Sequence, residues 1–433
     1  MSDARSIRWW VLGLFLVGLA FSITLAESIL AVLVALWLFG LRERTARAPE
    51  SFPLAGPVLA FAAATLLSAL RSGNPWTSLL DAKGLLLVLV LYVLVAALPD
   101  ADGADRFLTG LFFLVAVHAG LGILQVVLCP PREPAGVPLL SRFFHRCDRA
   151  HGFFSIYMTF AGVLTLILLA TLPRLLVERR SRKWRTLLPW AVSGLGFVLA
   201  YTRGAWLGLL AGVAALSLYL RRLWPLAALG GVLLLALLLL FASGTLQERI
   251  ARFEDPATIR ERLYMWESGW AIVRDHPLTG VGPGQVKTVF PRYARPEALR
   301  KTTSHVHNTP LQILAERGLL GLAAWVWIWV AFFVRAGRLL GRLGPHQGRE
   351  RGLVAGSVVA IGGFLVAGLS EFNFGDSEVV MVAYALMALP FVVERSLGFP
   401  HPAGSAPSPL SSPQVGEREG SREPSPPRGE RAG

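Results

Sequence analysis

The chain has 433 residues, of which 54% are hydrophobic and 16% charged, and it carries a formal net charge of +14. Soluble domains average about 25% charged residues, so this composition cannot cover a folded surface in water. Apolar runs recur along almost the whole sequence at lengths near that of a spanning helix, which predicts an all-α polytopic membrane protein and excludes both a β-barrel and a soluble enzyme with one anchor.

Arg5 and Arg8 precede the first apolar stretch, Trp9 to Phe21. Hydrophobicity resumes after Glu27 with no small-residue cleavage pattern between, so two joined spans are expected in place of a removed signal peptide. Spans are expected at 9–25, 26–41, 53–70, 84–98, 107–128, 152–172, 187–201, 204–220, 224–242, 312–334, 353–370 and 377–394, about twelve in all. Basic clusters at Arg42–Arg47, Arg174–Arg185, Arg221–Arg222 and Arg335–Arg351 then share one side. The positive-inside rule makes that side cytoplasmic, with both termini inside. Asp100-Ala101-Asp102 has the form of a metal-binding Asp-x-Asp, but it falls in a short turn with no supporting domain and is read as chance.

Cys129 and Cys147, the only cysteines, fall on the opposite side. A disulfide fits an oxidising exterior, and two reduced structural thiols are the alternative. His118 stands inside the fifth span, where a single histidine is read as an interhelical contact. Residues 1–120 are expected to form N-terminal spans, 121–395 a transmembrane core, and 396–433 a disordered cytoplasmic tail rich in Pro, Ser, Gly, Glu and Arg.

The outer segment 242–311 is too long for a passive connection and is expected to carry short helices. Basic residues outnumber acidic ones between Arg249 and Lys301, on the side where positive charge is disfavoured. Arg262, Trp266 and Trp270 recur at helical spacing, which reads either as an amphipathic interfacial helix or as the mount of a phosphate-binding arginine. His276-Pro277-Leu278-Thr279-Gly280-Val281-Gly282-Pro283-Gly284 follows, with alternate glycines that permit close backbone approach. His305 and His307, at i and i+2, share a face only in extended backbone, and Asn308 to Pro310 supplies helix-start chemistry. A zinc pair has no further ligands in sequence, so no metal is assigned.

The run His307-Asn308, nine residues, Gly318, two residues, Gly321 resembles the signature of the O-antigen ligase and polymerase superfamily, membrane glycosyltransferases that use polyprenyl-diphosphate-linked glycans. The resemblance extends over residues 120–390 to Gly122–Gln125, Arg149–Phe154, Tyr201–Ala205, Arg262 with Trp266, His276–Gly282 and Glu371–Asp376. It implies His307 as catalytic base, Arg203, Arg262 and Arg149 as diphosphate-binding residues, and His305, Asn308 and Trp266 as supporting ones. No cofactor and no nucleic-acid partner are implied. The partners would be an undecaprenyl-diphosphate-linked glycan donor, lipid A-core or a second glycan as acceptor, and the bilayer of a bacterial inner membrane, with the active site facing the periplasm. Residue chemistry agrees: arginine pairs bidentately with phosphate oxygens, and a neutral imidazole can deprotonate a hydroxyl. Ligation to lipid A-core is the favoured reading. Polymerisation needs the same donor site, and a transporter of lipid-linked sugars would instead need charges along a pathway through the spans.

Overall fold

The computed structural model describes residues 2–43, 52–129, 143–145, 147–177, 183–225, 227, 231 and 256–398, and these contain helices and no strand. Seven helical stretches are long and apolar enough to cross a membrane, and four shorter apolar helices accompany them. Together these apolar helices occupy eleven of the twelve positions at which spans were expected, seven of them at spanning length. The span read at 224–242 lies, but for a few positions, outside the described residues, as does the tail beyond residue 398.

Helices α1 (Ser2–Phe21) and α2 (Ile23–Glu43) pack against each other and are joined at Ser22, earlier than the boundary expected at 25–26. Gly18 allows this, since a Cβ there would come 2.7 Å from the Ala26 nitrogen. Helix α3 (Ala55–Arg71) ends at a turn where the Asn74 side chain accepts from the Thr77 N–H at 3.2 Å and caps α4 (Pro75–Asp81). The chain continues through a 3₁₀ segment, Ala82–Val88, into α5 (Leu89–Ala97), so the span expected from residue 84 starts instead at Pro75. Asp100 accepts from the Gly103 N–H at 2.7 Å and caps α6 (Ala101–Val127), which gives the Asp-x-Asp its structural reason.

Helices α7 (Tyr157–Val177), α8 (Lys183–Leu199) and α9 (Arg203–Leu220) follow. The segment before α12 then supplies α10 (Pro256–Asp275) and the short α11 (Val286–Val289), and the chain continues through α12 (Thr309–Arg342), α13 (Gly348–Ala367) and α14 (Ser377–Ser396). Helix α14 is buried without interruption from Val379 to Val393 and packs against α5, α6, α7 and α13, which makes it the axis of the helical core. Lipid supplies no hydrophobic drive between helices, so packing rests on close approach of small residues. Gly208 of α9 and Gly363 of α13 illustrate this: a Cβ on Gly208 would lie 2.5 Å from the Gly363 carbonyl oxygen.

Cys129 and Cys147 are joined by a disulfide that ties the end of α6 to the loop before α7. The same loop is held by α6 side chains. Gln125 Oε1 accepts from the N–H groups of His151 and Gly152, each at 3.0 Å, and His118 Nε2 accepts from the Phe153 N–H at 2.8 Å. With Nε2 accepting, His118 Nδ1 carries the proton and donates to the Ala20 carbonyl, so this histidine is a fully bonded contact between α1, α6 and the loop.

Candidate functional site

Helix α12 begins at Thr309 because Asn308 caps it: Asn308 Oδ1 accepts from the Leu311 N–H at 2.9 Å, while Asn308 Nδ2 donates to the Leu369 carbonyl at 2.8 Å. Thr309 extends the same stitching, since its N–H reaches the Gly368 carbonyl at 2.7 Å and its hydroxyl the Glu371 carbonyl at 2.9 Å. These bonds fasten the start of α12 to the loop between α13 and α14. Glu371 is thereby placed beside His307.

Glu371 is 8% exposed and holds two partners. Its Oε1 accepts from Arg262 Nη2 at 2.7 Å, and its Oε2 lies 3.2 Å from His307 Nδ1. Burial alone would raise the Glu371 carboxyl, but the His307 hydrogen bond and the Arg262 charge outweigh it and hold the group below its ordinary value, so it is ionised. A carboxylate only accepts; Nδ1 of His307 therefore carries a proton, and whenever the ring is neutral Nε2 is its basic nitrogen. Nε2 makes no hydrogen bond among the described residues. His307 lines a cavity of about 1200 Å³.

The two histidines meet in a way the i, i+2 spacing did not foresee. His307 takes a left-handed backbone, φ 51°, which is strained for a residue with a Cβ, and its ring lies edge-on to that of His305 with centroids 4.4 Å apart. Burial, with His307 adding to it, pushes the His305 imidazole down to about 4. His305 is accordingly neutral, its Nδ1 3.0 Å from the Ser304 hydroxyl and its ring against Phe372.

The three arginines singled out in sequence stand on three separate segments of the chain. Arg203 interacts electrostatically with both Arg262 and Arg149. Arg203 opens α9 after the Thr202 cap, two residues past the left-handed Tyr201, and is exposed. Arg149 sits on the loop anchored by Gln125, its guanidinium 4.4 Å from the centre of the Tyr157 ring. Arg262 projects from α10, and its fork is already engaged: besides Glu371, Nη1 donates to the Ser370 carbonyl at 2.9 Å. Trp266, one turn along α10, packs against a core formed by Met265, Ile272, Val281 and Leu311.

Helix α12 breaks at Gly318, φ 64° and ψ −168°, a conformation that glycine alone adopts readily. The break frees four backbone groups, and the His276–Gly282 stretch takes them up. Val281 and Gly282 N–H donate to the Ala315 and Glu316 carbonyls at 3.0 and 2.8 Å, while Leu319 and Leu320 N–H donate to Pro277 and Leu278 at 2.8 and 3.4 Å. The glycine-rich stretch and the His307…Gly318 run are thus two halves of one backbone joint that fastens the segment after α10 to α12.

Glu371 was not singled out by residue reasoning; its sign was its place in the Glu371–Asp376 run. Its neighbour Asp376 accepts from the Thr159 hydroxyl and caps α14, which anchors the loop from its other end. The buried Glu316–Arg317 pair, at 2.7 Å, lies in a span expected to be nearly free of charge.

Residues 188–326 match the family model described as O-antigen ligase, a region that holds Arg203, Arg262, His305, His307 and the Gly318 kink and stops short of Glu371. This match, over about a third of the chain, supports the resemblance to the O-antigen ligase superfamily. No curated protein matches the chain.

Proposed function

We propose that this chain, a multi-pass membrane glycosyltransferase of the O-antigen ligase type, moves a glycan from undecaprenyl diphosphate to an acceptor hydroxyl on the periplasmic face of the bacterial inner membrane, with lipid A-core as the favoured acceptor. The supporting observation is the Arg262–Glu371–His307 chain. It leaves a basic nitrogen on a histidine that lines the cavity, with Arg262 on the other oxygen of the shared carboxylate.

In this reading His307 Nε2 takes the proton of the acceptor hydroxyl as its oxygen bonds to the anomeric carbon. The bond from that carbon to the diphosphate oxygen breaks, and the diphosphate leaves with the electron pair. Arg203 and Arg149, with the remaining donors of Arg262, hold the charge that develops on it. Glu371 fixes the His307 tautomer and offsets the imidazolium charge. Arg262 then acts chiefly by positioning Glu371, because two of its donors are committed there and to Ser370. Polymerisation differs from ligation only in the acceptor.

The orientation belongs to the same proposal: basic loops inside, the 242–311 segment and the disulfide outside. In intact spheroplasts, a membrane-impermeant thiol reagent is expected to label Cys129 and Cys147 only after reduction; labelling confined to inverted vesicles would reverse the topology. The reaction is tested by giving purified protein a polyprenyl-diphosphate glycan with lipid A-core, and separately without it, and weighing the products. His307→Ala is expected to lower turnover by about 10²–10⁴ while retaining donor binding. His305→Ala is expected to keep measurable turnover, and the opposite ranking of the two variants would assign the base to the wrong residue.

A further inference from the structure

Helix α10 has a side that neither the core nor the transfer chemistry uses. With six charged residues in twenty, it is not among the helices apolar enough to cross a membrane. Met265, Ile272 and Val273 bury one side of it against the start of α12. Its three carboxylates are all taken up by the segment after α11: Glu261 accepts from the Leu299 and Arg300 N–H groups at 2.8 and 3.1 Å, Glu267 from Arg295 Nε at 2.6 Å, and Asp275 from the Tyr293 hydroxyl at 2.7 Å. The side left over carries Ile259, Leu263 and Trp270, whose spacing of i, i+4 and i+11 sets them on one line of a helix. They are 53, 47 and 52% exposed. Arg260 and Arg274 border that line, both exposed and without a hydrogen-bond or ion-pair partner among the described residues.

Single exposed apolar side chains are ordinary, whereas a row of them bordered by charge marks an interaction surface. What covers this row follows from where the chain goes next. Leu278, just past α10, is exposed, and its carbonyl accepts from the Leu320 N–H at the kink of α12. Leu319 and Leu320 there begin an exposed apolar row that α12 continues through Trp327 and Val334, the row a spanning helix turns to lipid. Helix α10 is therefore tied to α12 at the point where the lipid-facing surface of α12 starts. A helix lying in the headgroup region has this make-up: aliphatic side chains and tryptophan toward the acyl chains, arginines at the border reaching the phosphates. We infer that α10 is an interfacial helix whose Ile259, Leu263 and Trp270 enter the bilayer surface beside α12, while Arg260 and Arg274 pair with the phosphates of anionic phospholipids. The inference stands apart from the transfer reaction proposed above. Arg262 leaves the same helix for Glu371, so the docked helix also fixes the depth of that pair.

The test uses full-length protein in nanodiscs with its disulfide intact, so that a nitroxide label attaches only to an introduced cysteine. Leu263→Cys and Trp270→Cys place the label on the row, and Glu297→Cys places it on the exposed loop as a water-facing reference. Label relaxation is measured with oxygen, which partitions into lipid, and with a water-soluble nickel chelate. In discs containing phosphatidylglycerol, the oxygen-to-chelate ratio at positions 263 and 270 is expected to exceed that at position 297 several-fold, and to fall in discs of phosphatidylcholine alone. Arg260→Gln with Arg274→Gln should remove the difference between the two kinds of disc, because those side chains carry the charge contact. Chelate exposure at both row positions equal to that at 297, or equal depth in anionic and neutral discs with the arginines present, would overturn the inference. Labels open to the chelate in discs holding one copy but shielded from both reagents in discs holding two would give the row to a second copy of the chain, and would overturn it as well.

Discussion

Glu371 Oε2 lies 3.2 Å from His307 Nδ1, across 64 positions of sequence, and this one contact sets which ring nitrogen is free to act as a base. Glu371→Gln keeps the shape but replaces the charged acceptor by an amide that can present either a donor or an acceptor to the ring. Turnover is expected to fall by roughly 10²-fold, with donor affinity changed much less, because the loss falls on the protonated imidazole formed during reaction. Glu371→Asp should recover part of that rate. A Gln variant with wild-type turnover at equal membrane abundance would reduce Glu371 to a partner of Arg262.

Arg203→Lys retains the charge at the start of α9 but cannot reproduce two parallel hydrogen bonds to a diphosphate. Loss of such charge-assisted contacts costs on the order of a few kcal/mol, or roughly a hundredfold in rate. The measurement is transfer under saturating acceptor. A rate within twofold of wild type would leave Arg203 as a snorkelling side chain at the membrane surface.

Gly318→Ala tests the joint between α12 and the His276–Gly282 stretch. Its φ of 64° with ψ −168° disfavours any residue with a Cβ, and the added methyl would run into the Leu278 backbone. Backbone strain alone amounts to about 1–3 kcal/mol, and the overlap adds to it. The apparent Tm of the detergent-solubilised protein is expected to drop by several degrees or the protein to be lost from the membrane. An unchanged Tm with full activity would mean that the joint does not organise the segment between α10 and α12.

His305 gives a pH dependence with a definite sign. Its folded-state value, about 4, lies below the ordinary histidine value of about 6.5, so between these limits the unfolded chain binds the extra proton. Its favourable balance is complete above about pH 6.5 and is lost as pH falls toward 4. His305→Gln is expected to flatten that part of the Tm-against-pH curve. The Glu371 contribution has the same sign and stays ionised into a lower range, so it remains in the variant. If His305→Gln left the curve unaltered from pH 6.5 to 4, the ring would be titrating as in open solvent.

The helical membrane class, eleven of the span positions and the helix start at Asn308 were legible because each depends on residues adjacent in sequence: apolar length, loop charge, a capping side chain before a proline. The same locality explains why a bridging role for Glu371 was out of reach. Nothing beside Glu371 in the chain indicates that Asn308 and Thr309 will bind its loop and carry it under His307. The left-handed turn at His307 likewise follows from no local preference; it is imposed by the bonds on either side of it. Arg262 read as a phosphate ligand by type, and only its two bonds, to Glu371 and to Ser370, show that much of its fork is occupied. The sequence by itself therefore determined where the apolar helices lie and which residue types fall between them. The tertiary structure alone decided which nitrogen is free and which arginine is committed, because those depend on hydrogen bonds closed between segments that only packing brings together.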